Sequence, residues 1–418
     1  MIRDLDSVSP LRWLPSFASI LCAILVVIAP ACSPKADDTP VDQSQGGDSA
    51  SVVRDGDSVP LKHTIDTTTF VVTDSTVTLR DQSHPRPSGR VVNIVITGLD
   101  SRLGDPMGHA DANHVMRLFL DSGMVEIISI PRDTEADAGF DDTTGFNRLT
   151  NVRANRGRTA YHRAVEEITG IGRVDHYVEF GFSQAIGLLE IIGYRDNATS
   201  TLRVLRSRQA YRSGDFQRSY NQGQFIRQIV RKYFDKTEGL VGDLAMRAAL
   251  ALVDTDLTYD RLSSLIEALR VGGFDSAERR SWVRLKPAVI ARFTVYDFDT
   301  KNVSAINQEI DQRIKRLGVD TMSGGASTYE RKLASLIDRA AADSAKAPAD
   351  VIRTLRRSYE QRAWLQVADR SKRRQYRDRL CGLLIASYER TRQAKQAAAI
   401  RTWLEFDNQV FTGQGAEP

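Results

Sequence analysis

Cysteine is scarce in this chain of 418 residues: there are three, Cys22, Cys32 and Cys381. None sits in a CxxC or Cys/His spacing, so the sequence offers no zinc or iron–sulfur ligand pattern. Histidine is nearly as rare, and its six copies are scattered without a metal pattern. A large charge of one sign is also missing. The net charge of +4 is too mild for a dedicated nucleic-acid binder, whose basic excess is larger, so no nucleic-acid partner is expected. Hydrophobic residues make up 41% of the chain, enough for a real core, and the length allows two or three domains.

One apolar run stands out, "ILCAILVVIA" (20–29), behind Arg3 and Arg12 and ahead of "PACS". Positive charge, a short apolar stretch and small residues together read as a secretory signal. Ala31–Cys32 resembles a bacterial lipobox, which predicts cleavage before Cys32 and lipid on its thiol. The stretch from Leu11 to Ala31 is also long enough for an uncleaved membrane anchor; simple secretion is the third reading. Either anchored reading places the protein outside the cytoplasm on a membrane. With Cys22 removed and Cys32 lipidated, Cys381 has no disulfide partner.

Residues 1–32 are therefore set apart as signal or anchor. Residues 33–65 are rich in Ser, Asp, Gly and Pro and read as a flexible tether. Within 66–89, "DTTTFVVTDSTVTLR" predicts a small hairpin turning near Asp74, followed by a linker. From 90 to 275, strand-like runs (91–100, 115–121, 124–130, 175–181 and the start of 201–209) alternate with helical ones (158–170, 182–194, 219–234, 261–273). Ser122–Gly123 joins two of the strands as a hairpin. That alternation predicts a three-layer α/β domain with a mixed central sheet. Residues 276–328 read as a connecting segment. Residues 329–418 read as an all-α extension of two to four helices, with apolar stripes at Leu333, Leu336 and Ile337, at Ile352, Leu355 and Tyr359, and at Leu380, Leu383 and Leu384.

The chemistry gathers where strands end. Asp100, Ser101 and Arg102 follow the first strand. His109 and Asp111 precede the second. "IISIPRDT" (127–134) ends a buried strand with Pro131, Arg132 and Asp133. The strand expected near 205 carries Arg206 and Arg208 on one face. Asp215 and Arg218 follow, and Arg218 and Gln222 lie four apart on one helix face. Ligands of open α/β sheets bind beyond the carboxyl ends of strands. Arginine recognises phosphate oxygens in pairs, and aspartates beside it make sense when a cation is bound too. Arginines with two or three carboxylates fit a Mg²⁺–diphosphate site. Each Arg–Asp pair alone is equally the mark of an ordinary surface ion pair; their shared position at strand ends is what sets them apart.

The motifs "NIVITGLDSR", "GHADA", "IISIPRDT", "DHYVEFGF", "VLRSR" and "GDFQRSYNQGQFI" occur in this order between residues 93 and 226. Together they resemble the LytR–CpsA–Psr (LCP) family of bacterial envelope proteins over roughly residues 90–270. The resemblance implies an α/β/α sandwich with an apolar pocket for a prenyl chain. It also implies a phosphotransferase that moves a glycopolymer from a polyprenyl-diphosphate carrier to a sugar hydroxyl of peptidoglycan or another surface glycan. Carried over by motif, Asp100 and Asp111 would hold Mg²⁺. Arg102, Arg132, Arg206 and Arg218 would contact the diphosphate with Gln222, and Arg208 and Asp215 match more weakly. Arg132, Asp111 and Arg206 would carry catalysis, while Asp133 pairs with an arginine. The family's usual Arg-Ser-Asp-Thr reads His109-Ala110-Asp111-Ala112 here, which removes one fixed positive charge. Its usual Lys-x-Asn reads Arg148-Leu149-Thr150, and Gln217 stands where glycine is common. A non-catalytic carrier-lipid binding protein and a diphosphatase are the competing functions.

Outside these motifs, the basic run "RSKRRQYRDR" (370–379) reads as a solvated helix face or as a patch for anionic polymer or lipid. Trp364, Trp403 and Tyr388 read as helix-packing residues rather than sugar platforms. His114 and His176 read as satisfied structural histidines.

Overall fold

Four strands of one sheet run the same way and end at the same edge, and this is what builds the site. The computed structural model describes residues 72–78, 87–100, 103, 108–208, 210–211, 213–289, 292–316 and 325–412. The signal or lipobox segment with Cys22 and Cys32, the tether 33–65 and Arg102 lie outside them. The sheet comprises β2 (Val91–Asp100), β3 (His109–Phe119), β4 (Met124–Ile130), β5 (His176–Gly181), β6 (Asp254–Thr255) and β7 (Ser281–Leu285), in the order β6-β5-β2-β3-β4-β7. β2 pairs parallel with β5, and β4 with β7; β3 lies antiparallel between β2 and β4. The sheet is thus mixed, as expected. β2, β4, β5 and β7 finish at one edge, and β3 starts there.

Apolar residues fill both faces, which is why β2 reads as an unbroken apolar run. Val95, Val115, Ile128 and Ile130 face α1 (Leu149–Thr169), whose Leu149, Val152, Tyr161 and Val165 complete one core. Ile94, Ile96, Met116, Ile127 and Phe180 face the other way. There they meet α2 (Phe182–Ile191), α3 (Ala198–Arg206), α4 (Asp215–Tyr233), α5 (Gly239–Leu252) and α6 (Tyr259–Val271). Three layers result. Helix α4 seats closely on the sheet at Gly223, where a Cβ would come within 2.4 Å of Ser129 Oγ.

Several expectations are corrected. Asp74 does not turn a hairpin: it lies inside β1 (Val72–Thr78), which pairs antiparallel with β8 (Arg292–Tyr296), and register irregularities flank it. The turn signal was a bulge. The strand expected at 201–209 is helix α3 up to Arg206. Its buried residues Ala198, Thr201, Leu202 and Leu205 fall at helical spacing, but that period begins upstream of the window that looked like a strand. Arg206 and Arg208 therefore do not share a strand face. Helix α5 was not foreseen. Nor is 276–328 a mere connection: it supplies β7 to the sheet, β8, and α7 (Val303–Arg316).

The tail forms α8 (Gly325–Asp343), α9 (Pro348–Glu360), α10 (Arg370–Arg390) and α11 (Ala394–Thr412). Leu333, Ile337, Leu355, Leu380 and Leu384 are buried in the same apolar cluster as α2 and α4. Trp364 is buried, and its ring lies 5.4 Å from that of Trp403. Cys381 is a free, buried thiol, pushed up to about 12 by burial. No helix among the described residues is long and apolar enough to cross a membrane.

Candidate functional site

A bulge places the central carboxylate. Gly98 of β2 pairs with Ala112 of β3, but Leu99 pairs with Ala110, so Asp111 is the extra residue. A bulge re-aims a side chain at the end of a ladder. Asp111 is 4% exposed, and its Oδ1 accepts from the Arg132 guanidinium at 3.1 Å and from the Thr150 hydroxyl at 3.2 Å. Its backbone carbonyl accepts from Arg218 at 3.2 Å.

Arg132 arrives from the end of β4. Pro131 has no N–H to continue the ladder, and a turn closes where Thr134 N donates to Pro131 O at 3.1 Å. The Arg132 N–H donates to Asp215 Oδ2 at 3.1 Å, across to the first turn of α4. Asp133 pairs with Arg148 at 3.1 Å and sits 3.8 Å from Arg132. Burial opposes the charge on Arg132, but Asp111, Asp133 and Asp215 outweigh it and raise its pKa above the usual arginine value.

Helix α4 supplies the inner layer. Arg218 and Asp215 form an i,i+3 ion pair, with Arg218 3% exposed. Burial pulls the pKa of Arg218 down and pushes that of Asp215 up, so each charge depends on the other. Gln222, one turn on, donates to Leu205 O at 2.9 Å and so fastens α3 to α4. Arg208 is near enough for its charge to act on Arg218. Arg206, the last residue of α3, lies over the Phe182 ring at 4.8 Å, where β5 passes into α2. Asp100 ends β2 opposite the exposed His109.

Below this layer His114 and Ser129 share a hydrogen bond of 2.8 Å between adjacent strands. Burial lowers the His114 pKa to about 3, helped by the charge on Arg218 and opposed by Gln222. Its Nδ1 is thus engaged, but its buried Nε2 has no hydrogen-bond partner among the described residues, so the expected satisfied histidine is only half satisfied. His176 is likewise engaged, by Asp256 at 3.2 Å and Arg261 at 3.3 Å.

The predicted residues Asp111, Arg132 and Arg218 are brought into one network. Gln222 and Arg208 border it, Arg206 stands at the neighbouring strand end, and Asp100 lies at the rim. Thr150 and Arg148 were missed as site residues, although both stood in a motif read only as a departure. Asp215, a weak match, is central. A second buried network was also missed: Glu179 of β5 accepts from Arg153 at 2.7 Å and Arg158 at 2.5 Å, which ties α1 to the sheet. Alternating "YVEFG" reads as a strand whatever its polar residue does inside.

No group of three or more His, Cys, Asp or Glu residues among the described ones is gathered to hold a metal ion. Mg²⁺ needs less, since it takes one or two carboxylates and completes its shell with water and phosphate. Asp111 fits that role. Its Oδ1 is engaged, whereas its Oδ2 accepts no hydrogen bond among the described residues. Two surface clefts of the described residues lie elsewhere, one between α2, α5 and the tail, the other beside α4 and Phe298. Neither is lined by the site residues.

Residues 64–192 match the LytR_cpsA_psr family model. No curated protein sequence matches the chain significantly. Similar solved structures include a transcriptional regulator from Enterococcus faecalis, at 19% identity over 55% of this chain and 93% of that one, with a TM-score of 0.37. B. subtilis TagV is 13% identical over 54% of this chain and 98% of its own, at a TM-score of 0.34. A structure of TagT bound to LI-WTA is 15% identical over 56% and 95%, at 0.33.

Proposed function

We propose that this chain is a membrane-anchored phosphotransferase of the LytR–CpsA–Psr kind outside the cytoplasm, a reading supported by the family-model match over residues 64–192. Its donor is a glycopolymer on polyprenyl diphosphate, and its acceptor is a sugar hydroxyl of peptidoglycan or another surface glycan. The observation that carries this reading is the convergence of Arg132, Arg218 and Asp111 at the edge where four strands end.

The acceptor hydroxyl attacks the phosphorus that bears the glycan. A new P–O bond forms, the P–O bond to polyprenyl phosphate breaks, and that phosphate leaves. Arg132 is 20% exposed, so its guanidinium can turn from Asp111 to the phosphate oxygens. Arg218 is too buried to move; it fixes Asp111 and Asp215, which in turn aim Arg132. Arg206 and Arg208, with Arg102, neutralise charge on the leaving side. Asp111 and Asp100 would hold Mg²⁺, which when bound shares the diphosphate charge. Asp111 or Asp100 takes the acceptor proton, a role that competes with metal binding. Lipid on Cys32 anchors the chain; labelling with a clickable fatty acid should disappear in Cys32→Ala, and labelling that persists sinks this claim.

The test uses the full chain in detergent with a polyprenyl-diphosphate oligosaccharide, Mg²⁺ and peptidoglycan fragments. Mass spectrometry should find a phosphodiester-linked conjugate and polyprenyl phosphate. Arg132→Ala should reduce the rate about 100- to 1000-fold, and chelation should abolish turnover. Normal turnover in Arg132→Ala would refute the site. The exposed His109, standing where an arginine is usual, favours one second reading, a carrier-lipid binding protein. Tight donor binding without product would support it, as would turnover gained by His109→Arg. Release of the glycan to water alone would make the protein a diphosphatase.

A further inference from the structure

The segment "EADAGFDDTTGFNR" (135–148) leaves β4 just past Arg132 and returns to start α1. Its ends are joined by a bridge between Glu135 and Arg148, and Ala136 N donates to Asn147 O at 3.2 Å. Asn147 stitches the interior. Its Oδ1 accepts from the N–H groups of Ala138 at 3.1 Å and Phe140 at 3.2 Å. Its Nδ2 donates to Phe140 O at 3.0 Å and Asp142 Oδ1 at 2.8 Å. Asp141 caps the short turn Asp142–Thr144, which Gly145 ends at φ 65°. Ala138 is buried in the core under α1.

A loop held this firmly still turns two large rings outward. Phe140 is 39% exposed and Phe146 57%, with ring centroids 5.6 Å apart. Their position is fixed relative to the arginine cluster. Leu149 N donates to Thr134 O at 2.8 Å, Thr150 N to Arg132 O at 3.0 Å, and Arg148 pairs with Asp133. An exposed apolar pair on a rigid loop beside a site marks a contact surface.

Charge decides the partner. Glu135, Asp137, Asp141 and Asp142 lie in the same segment as the rings, four acids against Arg148 at its end and Arg156, which pairs with Asp137. An anionic bilayer or polymer would be repelled there. A neutral sugar fits: its C–H face lies on an aromatic ring, and its hydroxyls donate to carboxylates, which only accept. We propose that Phe140 and Phe146 form the platform for the acceptor sugar, presenting its hydroxyl to the phosphorus held by Arg132. This rests on the phosphotransferase reading, to which it adds an acceptor subsite. Trp364 and Trp403, by contrast, pack against each other within the helical tail.

The test compares the full chain in detergent with the double variant Phe140→Ala/Phe146→Ala and with Phe146→Trp. Binding of neutral N-acetylglucosamine oligosaccharides is measured by calorimetry, and KM for donor and acceptor by the transfer assay. Glycan affinity should fall about tenfold or more in the double variant. The acceptor KM should rise by the same factor, the donor KM should stay put, and Phe146→Trp should bind like the parent. Equal glycan affinity in parent and double variant would overturn the platform, even with transfer intact. So would a loss of binding to phosphatidylglycerol vesicles with glycan affinity unmoved. Glycan binding that depends on the two rings, in a protein that makes no conjugate, would keep the platform and discard the transferase.

Discussion

Two regions of this protein are rich in arginine, and they use it in opposite ways. At the sheet edge Arg132, Arg206, Arg208 and Arg218 are spread over 87 residues of sequence (132 to 218 inclusive), yet Arg132 and Arg218 meet on Asp111. In α10 the run 370–379 is dense, but a helix turns each successive side chain by 100°, so the charges splay. Arg373 reaches Glu190 of α2 at 2.7 Å, Lys372 reaches Glu330 at 2.9 Å, and Arg377 pairs with Asp407 of α11. Arg374 is exposed and makes no ion pair among the described residues. Density in sequence produced separate struts. Dispersion in sequence produced one site. The solvated-face reading of 370–379 therefore holds for part of the run only, since Arg373 and Arg377 fasten the tail.

If this contrast is right, single substitutions should separate the two regions. Arg218→Ala should have the largest effect. It leaves Asp215 buried without its partner, so urea unfolding should show a loss of about 3–5 kcal/mol. A loss below 1 kcal/mol would mean that the inner layer is not an ion-pair core.

His114 sharpens the point through pH. Its folded pKa of about 3 lies below the ordinary 6.5, so as pH falls the unfolded chain gains a proton that the native state refuses. Stability from this group is complete well above 6.5 and drains towards pH 3, by about 2 kcal/mol on reaching pH 5. The slope should flatten in His114→Asn; an unchanged slope would assign the acid loss to other groups.

Smaller effects are expected in the tail. Arg373→Ala breaks a largely buried pair and should cost about 1–2 kcal/mol while transfer survives. Arg374→Ala should fall within about 0.5 kcal/mol of the parent in the same unfolding experiment. Equal losses from the two would erase the distinction between strut and solvated face.

Legibility followed the same division. Strands 91–100 and 124–130 were plain because both faces are buried and leave an apolar run. The hairpin at Gly123 was plain because that residue needs φ of 55°. Asp111 and Arg132 could be named from their position at strand ends. Helix α3 was misread because its period begins at Ala198, and Asp74 because a bulge and a turn share residue types. Thr150 stood in a motif read only as a departure, because a threonine starting a helix is commonplace until the fold lays it 3.2 Å from Asp111.

By itself the sequence determined the alternating α/β order, the apolar faces, the helical tail and the delivery of charges to strand ends, because these follow from local periodicity and from what proline and glycine permit. Only the tertiary structure decided that Asp111 is the bulged residue, that Arg218 and Asp215 form the floor, that 281–285 is a sheet strand and that Phe140 and Phe146 stand outside. Those outcomes depend on register and on which distant residues compete for one carboxylate, and neither is written in any short stretch of chain.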